Sequence, residues 1–395
     1  MNRRSFLTKS GAAAGLTVVS AKTAFGFSAN EKIKLGSIGC GGRGSFVANI
    51  FKEDGGYEFT AAADYFADRL TPYANNFGVP KDKCFTGLDG YKKVIESGVD
   101  AVAVHSPPYF HPEHSAAGIA AGKHVFLAKP VAVDVPGTLS IEELGKQATS
   151  KNLVMLVDFQ SRGDAIWQEG LKRTKEGAIG EFCFGECVYE ADTLQAHASG
   201  TSPEDNLKNW VFFQKLSGDI ITEQNIHALD IMAWALGKPV RATGTRGRKV
   251  RTNVGDTSDH YSVLFEFPGG AVNFHSRQYS AWGVQFICAN RIYGTTGALF
   301  TDFGGRVMIR GTSKTAWSGG ISKNLYKDGS VANVKTFRES MLNGKYENAT
   351  VPESVNTNLV TILGRTAAEK KQTVTWEEML ADKAKLEWDL TGLKA

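Results

Sequence analysis

The sequence predicts an α/β chain with a doubly wound parallel sheet, followed by an α+β domain with a large, open, mostly antiparallel sheet. Three observations carry this reading. Five short apolar runs alternate with helix-like stretches between Lys32 and Phe159. A glycine-rich turn, GCGGRG, closes the first of those runs. Beyond residue 158 the alternation gives way to long strands of period two, which a largely antiparallel sheet requires.

The first 29 residues stand apart. They hold Arg3, Arg4, Lys9 and Lys22 and no acidic residue. The whole chain has 45 basic and 41 acidic residues, so without those four the charges balance. A balanced mature chain offers no electrostatic footprint for nucleic acid or a membrane surface. MNRRSFLTKSGAAAGLTVVSA sets paired arginines before Ser-Phe-Leu and a Gly/Ala-rich apolar run too short to span a bilayer. It resembles a twin-arginine signal, which implies export to the periplasm of a chain already folded, with cleavage between Ala24 and Ala29. The five cysteines have no metal-like spacing, and an odd count favours buried free thiols over disulfides. No metal site is expected.

From residue 30 to 158 the runs KIKLGSIGC, YEFTAAAD, DAVAVHS, HVFLA and LVMLVDF read as strands buried on both faces. GSFVANIFKED, FADRLTPYANNFG, GYKKVIESG, HPEHSAAGIAAG and VPGTLSIEELGKQATSK supply the helices between them. In GCGGRG, Gly39, Gly41 and Gly44 satisfy G-x-G-x-x-G after a strand and before a helix, and Asp64 ends the next strand. That context predicts a Rossmann dinucleotide site. Gly39 permits the turn, Gly41 and Gly42 let the pyrophosphate approach, and Gly44 packs helix against strand. Asp64 would accept the adenosine ribose hydroxyls and repel a 2′-phosphate, favouring NAD over NADP. Arg43 beside the ribose would relax that preference. Ser106 and Pro107 follow the fourth run, and Lys129-Pro130 the fifth, at the strand ends where such sheets bind ligands. A lysine beside a cationic nicotinamide would be a usable acid/base group. His111 and His114, at i, i+3 on a helix start, suit capping or a surface role better than a metal. His111 is also counted among the cofactor-binding residues.

Residues 159–395 form the second domain. A helix over DAIWQEGLKRTKEG precedes the strand GEFCFGECVYE and a polar loop near 191–206. The strands VRATGTRGRKV, DHYSVLFEF, AVNFHSRQ and ANRIYG follow, with a hairpin turn at Pro268-Gly269-Gly270. Helices at 334–343 and 352–371 pack back onto the body. Between these parts lies SGDIITEQNIHALDIMAWALG, residues 217–237, which reads as one helix. Its apolar stripe is Ile226, Leu229, Ala233 and Leu236, with Glu223, His227 and Asp230 on a neighbouring face. Asp230 suits anchoring the helix, and His227 suits catalysis.

GCGGRG, the Ser-Pro-Pro turn, Lys129-Pro130 and the histidine of EQNIHALD together resemble the Gfo/Idh/MocA oxidoreductase family over essentially all of the chain after residue 29. The resemblance implies a Rossmann domain with tightly bound NAD, and an open-sheet domain for a small carbohydrate substrate and for pairing into a homodimer or homotetramer. Lys129 and His227 would be catalytic, with Glu223 orienting His227. The family commonly has Glu before the lysine, where this chain has Ala128, and Asp where it has Glu223. Gln160, Arg162, Tyr189, Trp210, Asn225, His227 and Arg277 are candidates for holding sugar hydroxyls. The implied activity is hydride transfer from a ring carbon to an internally recycled cofactor, including a redox-assisted glycosidase cycle. The alternatives are a sugar or inositol dehydrogenase, a sugar–sugar oxidoreductase, and an NAD-binding sugar sensor without turnover. An exported enzyme cannot exchange NADH for fresh NAD, which favours a closed cycle.

Overall fold

The computed structural model describes residues 31–395; the basic leader with its signal resemblance lies outside them. Six parallel strands form the first sheet: β1 (Ile33–Ile38), β2 (Tyr57–Ala63), β3 (Cys84–Phe85), β4 (Ala101–Val104), β5 (His124–Ala128) and β6 (Met155–Asp158). Their order is β3-β2-β1-β4-β5-β6, so strand order reverses between β1 and β4. Helices α1 (Gly42–Asp54), α2 (Ala67–Phe77), α3 (Gly90–Glu96), α4 (His111–Ala120) and α5 (Val135–Ser150) connect them. The apolar runs are continuous because both faces are covered: Ala101, Val102 and Val104 are fully buried between the helix layers. The two-residue β3 was not expected, being too short to show a period.

The second sheet has nine strands. β7 (Phe182–Ala191), β8 (Arg241–Gly247), β9 (His260–Phe267), β10 (Gly270–Gln278) and β11 (Ile287–Gly294) match the expected runs. β12 (Ala298–Asp302), β13 (Arg306–Arg310), β14 (Trp317–Ile321) and β15 (Val374–Thr375) extend both edges. All its pairs are antiparallel except β7 with β10. Pro268-Gly269 turns β9 into β10, with Gly269 at φ 90° where a side chain would be strained. The cysteines are free, and Cys40, Cys187 and Cys288 are buried, but Cys183 lies exposed near the start of β7. Among the described residues no helix is long and apolar enough to cross a membrane.

Residues 217–237 do not form one helix. α8 (Ile220–Glu223) ends before α9 (Ile226–Leu236) begins, and Asn225 N–H bonds the Ile220 carbonyl, five residues back. Asp219, at φ 69°, caps the start of α8. Its buried carboxylate accepts hydrogen bonds from the Ile220 and Ser258 amides, the Ser258 and Tyr261 hydroxyls, and Arg246. The C-terminal helices α10 (Leu325–Asn343) and α11 (Thr350–Lys370) pack onto both units, α10 against α1 and α11 against α5 and β8. A final strap, residues 384–394, then returns to the first domain. Leu386 N–H donates to Asp134, Leu88 N–H to the Lys394 carbonyl, and Lys394 N–H to the Tyr65 hydroxyl. Trp388, Leu390 and Leu393 join a cluster with Phe110 from the first domain and Leu207 and Phe213 from the second. Leu207 of that cluster belongs to α7 (Pro203–Lys208), whereas α6 (Ala165–Arg173) packs on β13 and β14.

Candidate active site

Where the strand order reverses, a cavity of roughly 900 Å³ opens between the two units. Its first wall is the Gly39–Gly44 turn, Asp64, Tyr65, Ser106 and Pro107; its second includes Gln195, His197, Lys208, Trp210, Glu223 and Gln224. The glycines fit a dinucleotide closely. Gly39 has φ 94°, and a Cβ at Gly44 would meet the Gly39 oxygen at 2.0 Å. α1 starts beside Gly41 with no side-chain cap and no acidic residue in its first turn. Its leading N–H groups and dipole are therefore left to an anion such as a pyrophosphate. We expect Gly44→Ala to displace the turn and weaken NAD binding by at least about tenfold, measurable by titration; unchanged affinity would remove this turn from the site.

Asp64 lies in the wall, where Oδ2 accepts the Cys40 amide at 2.8 Å and Oδ1 the Phe66 amide at 2.9 Å. Burial raises its pKa and those two donors oppose the rise. Each oxygen keeps acceptor capacity for a ribose hydroxyl. Arg43, expected beside the ribose, lines the cavity with the rest of its turn, but its guanidinium is engaged within the protein. It pairs with Asp158, donates to Ser330 Oγ at 3.0 Å, and lies over the Phe46 and Tyr326 rings. The cation facing Gly41 is Arg69, which no motif marked.

The histidines after β4 are neither caps nor surface groups. His111 is buried, and its Nδ1 and Nε2 each lie 2.7 Å from a carbonyl oxygen, of Pro130 and Ser106. It thus braces the two ligand-facing strand ends from behind and does not line the cavity. Burial lowers its pKa to about 4, against the pull of those carbonyls. His114 does line the cavity, 3.0 Å from Ser106 Oγ.

Behind the wall residue Glu223, Lys129 and His227 lie outside the cavity lining; Lys129 Nζ donates to the Glu223 carbonyl at 2.5 Å and to Glu223 Oε1 at 3.3 Å. Glu223 forms no hydrogen bond with His227 among the described residues, because the chain unwinds between them. The His227 ring is partly open and packs on Phe303 at 5.2 Å. Its pKa is held well below the imidazole range by burial first, then by the charges of Lys129 and Arg43.

The sugar-binding candidates divide. Trp210 lines the cavity, and Tyr189 supports it from below by donating to Gln224 Oε1 at 2.7 Å. Gln160 is buried away from it, against Gly329 of α10. Arg162 is consumed by Asp230 and Glu353 at 2.8 and 2.6 Å and lies over Trp234, which anchors α9 to α11 through Asp230. Arg277 spends its guanidinium on Glu190 and the Ala191, Tyr279 and Gln285 carbonyls. Asn225 is fully buried at the start of α9, outside the cavity wall. Gln195, His197, Lys208 and Gln224 were missed; all but Gln224 sit in or after a polar loop with no periodic signal.

Residues 33–159 match the family described as "Oxidoreductase family, NAD-binding Rossmann fold", GFO_IDH_MocA, and residues 167–300 its C-terminal domain. Inositol 2-dehydrogenase 3 of Saccharopolyspora erythraea is 29% identical over 60% of this chain and 64% of its own length. A glycosyl hydrolase family 109 protein of Shewanella pealeana is 27% identical over 40% of this chain and 35% of its own. Levoglucosan dehydrogenase, solved with NADH and levoglucosan, superposes with a TM-score of 0.70 at 16% identity, over 87% of this chain and 99% of that one.

Proposed function

Since this chain belongs to the Gfo/Idh/MocA oxidoreductase family, we propose that it oxidises a ring hydroxyl of a sugar or inositol with NAD as a retained cofactor. The observation that carries this is His227: a partly open imidazole with no hydrogen-bond partner among the described residues, kept neutral by burial and by the Lys129 and Arg43 charges, four positions after Glu223 of the cavity wall. A neutral imidazole can take a hydroxyl proton, and the nearby Lys129 ammonium favours the alkoxide that this proton leaves behind. NAD, when bound, supplies the hydride acceptor. The Gly39–Gly44 turn and α1 would hold its pyrophosphate, Asp64 its ribose, and Ser106 and Pro107 the wall beside it. Trp210 gives the substrate an apolar platform, and Gln195 and Gln224 give it amide forks.

The curated relatives named for inositol support a cyclic polyol as substrate. The match to a glycosyl hydrolase family 109 protein supports a second reading, a redox-assisted glycosidase in which the oxidised ring eases loss of the aglycone and is then reduced again. Export through a twin-arginine signal, and pairing through the open sheet where Phe184 and Phe286 are exposed, belong to the same proposal.

A spectrum of protein purified without added nucleotide tests retention: bound NAD(H) is expected. Substrate panels then separate the readings. Repeated aglycone release without added NAD identifies the glycosidase, and one equivalent of keto product with a rise in the NADH band identifies the dehydrogenase. No spectral change with any sugar, inositol or glycoside would leave only a binding role.

A further inference from the structure

We propose that Glu223 is a positioning residue for Lys129, holding the ammonium across the domain boundary, and is not the orienting partner of His227. The inference rests on the functional reading above. Lys129 follows β5 in the first domain and Glu223 ends α8 in the second, yet the ammonium meets both the backbone oxygen and Oε1 of Glu223. Their side chains are only 13% and 11% exposed, where a charge pair is little screened.

The same geometry joins two features of the sequence. Ala128 leaves Lys129 without a carboxylate from its own strand. Glu223 is one methylene longer than Asp, and that length lets Oε1 cross to Lys129 while the main chain stays in place. The break after Glu223 turns the following helix, and His227 with it, out of the carboxylate's reach. Glu223 Oε2 is buried with no hydrogen-bond partner among the described residues, so the residue keeps one acceptor while Oε1 holds the lysine.

A double-mutant cycle tests this, read as single-turnover reduction of the bound cofactor with enzyme in excess. Glu223→Gln and Lys129→Met are each expected to slow the step about 10–100-fold, and together to be within about threefold of Lys129→Met alone. Multiplying effects, or a Glu223→Gln rate near wild type, would overturn the proposal. Glu223→Asp is the independent arm. It keeps the charge but is too short for Lys129, so it should lose nearly as much as Glu223→Gln; a rate near wild type means Glu223 serves His227. NAD content reports folding in every variant. Full activity in His227→Ala would instead sink the functional reading, whatever the cycle shows.

Discussion

Replacing His227 with Ala is expected to lower turnover by about 10²–10⁴-fold, the span of a lost general base, while NAD stays bound. The pH dependence has a definite sign. Burial, then the Lys129 and Arg43 charges, depress the imidazole pKa, so the basic form persists below the usual 6.5 and is lost only as pH falls through the depressed value. The acid limb of kcat/KM should therefore lie below that range. Lys129→Met removes one of the depressing charges and should move the limb to higher pH. A limb at or above 6.5 in the wild-type enzyme, or one unmoved in Lys129→Met, would show that a different group takes the proton.

The second large effect concerns stability. Asp219→Ala strips the acceptor from two amides, two hydroxyls and Arg246 at a fully buried position. It also places a β-carbon with no local hydrogen bonding at φ 69°. Removing one side of a buried charged network costs about 3–5 kcal/mol, which denaturant titration would register. Asp219→Asn keeps the shape and part of the bonding and should cost less. Equal losses in the two variants would mean that charge, not size, sets the turn before Glu223. Catalysis should suffer too, because this turn fixes the start of α8, which ends in Glu223.

How much of this was legible in the sequence depends on the range of the interactions. Strands buried on both faces leave continuous apolar runs, so the five long strands of the first sheet could be read directly. The glycine turn was readable because its geometry is local: φ 94° at Gly39 and the near-contact of Gly44 with Gly39 need no distant partner. β3 pairs through two residues, and β14, WSGGI, is largely exposed with little apolar alternation. The break at 223–226 escaped because every residue there tolerates a helix. The start of α8 was equally hidden, since Asp219, which caps it, is held by Ser258 and Tyr261 some 40 positions away. Arginines misled for the same reason. In sequence Arg162 and Arg277 resemble substrate forks, and only the folded chain brings Asp230, Glu353 and Glu190 to them.

The strap over residues 384–394 imposes an order in time on the closing of this flank. The first domain leaves the ribosome long before the segment that seals its flank has been made. Until then Tyr65, Leu88, Tyr109 and Phe110 have no cover from Trp388, Leu390 and Leu393, and the adenosine side of the crevice is bordered by wet apolar surface. When the last residues dock, they tie the first domain to the second through Lys394 with Tyr65 and Glu204 and through Trp388 with Phe213. Detaching the strap would therefore wet that apolar surface and remove a tie between the domains while leaving the cavity lining itself intact, since no residue of 384–394 lines the cavity.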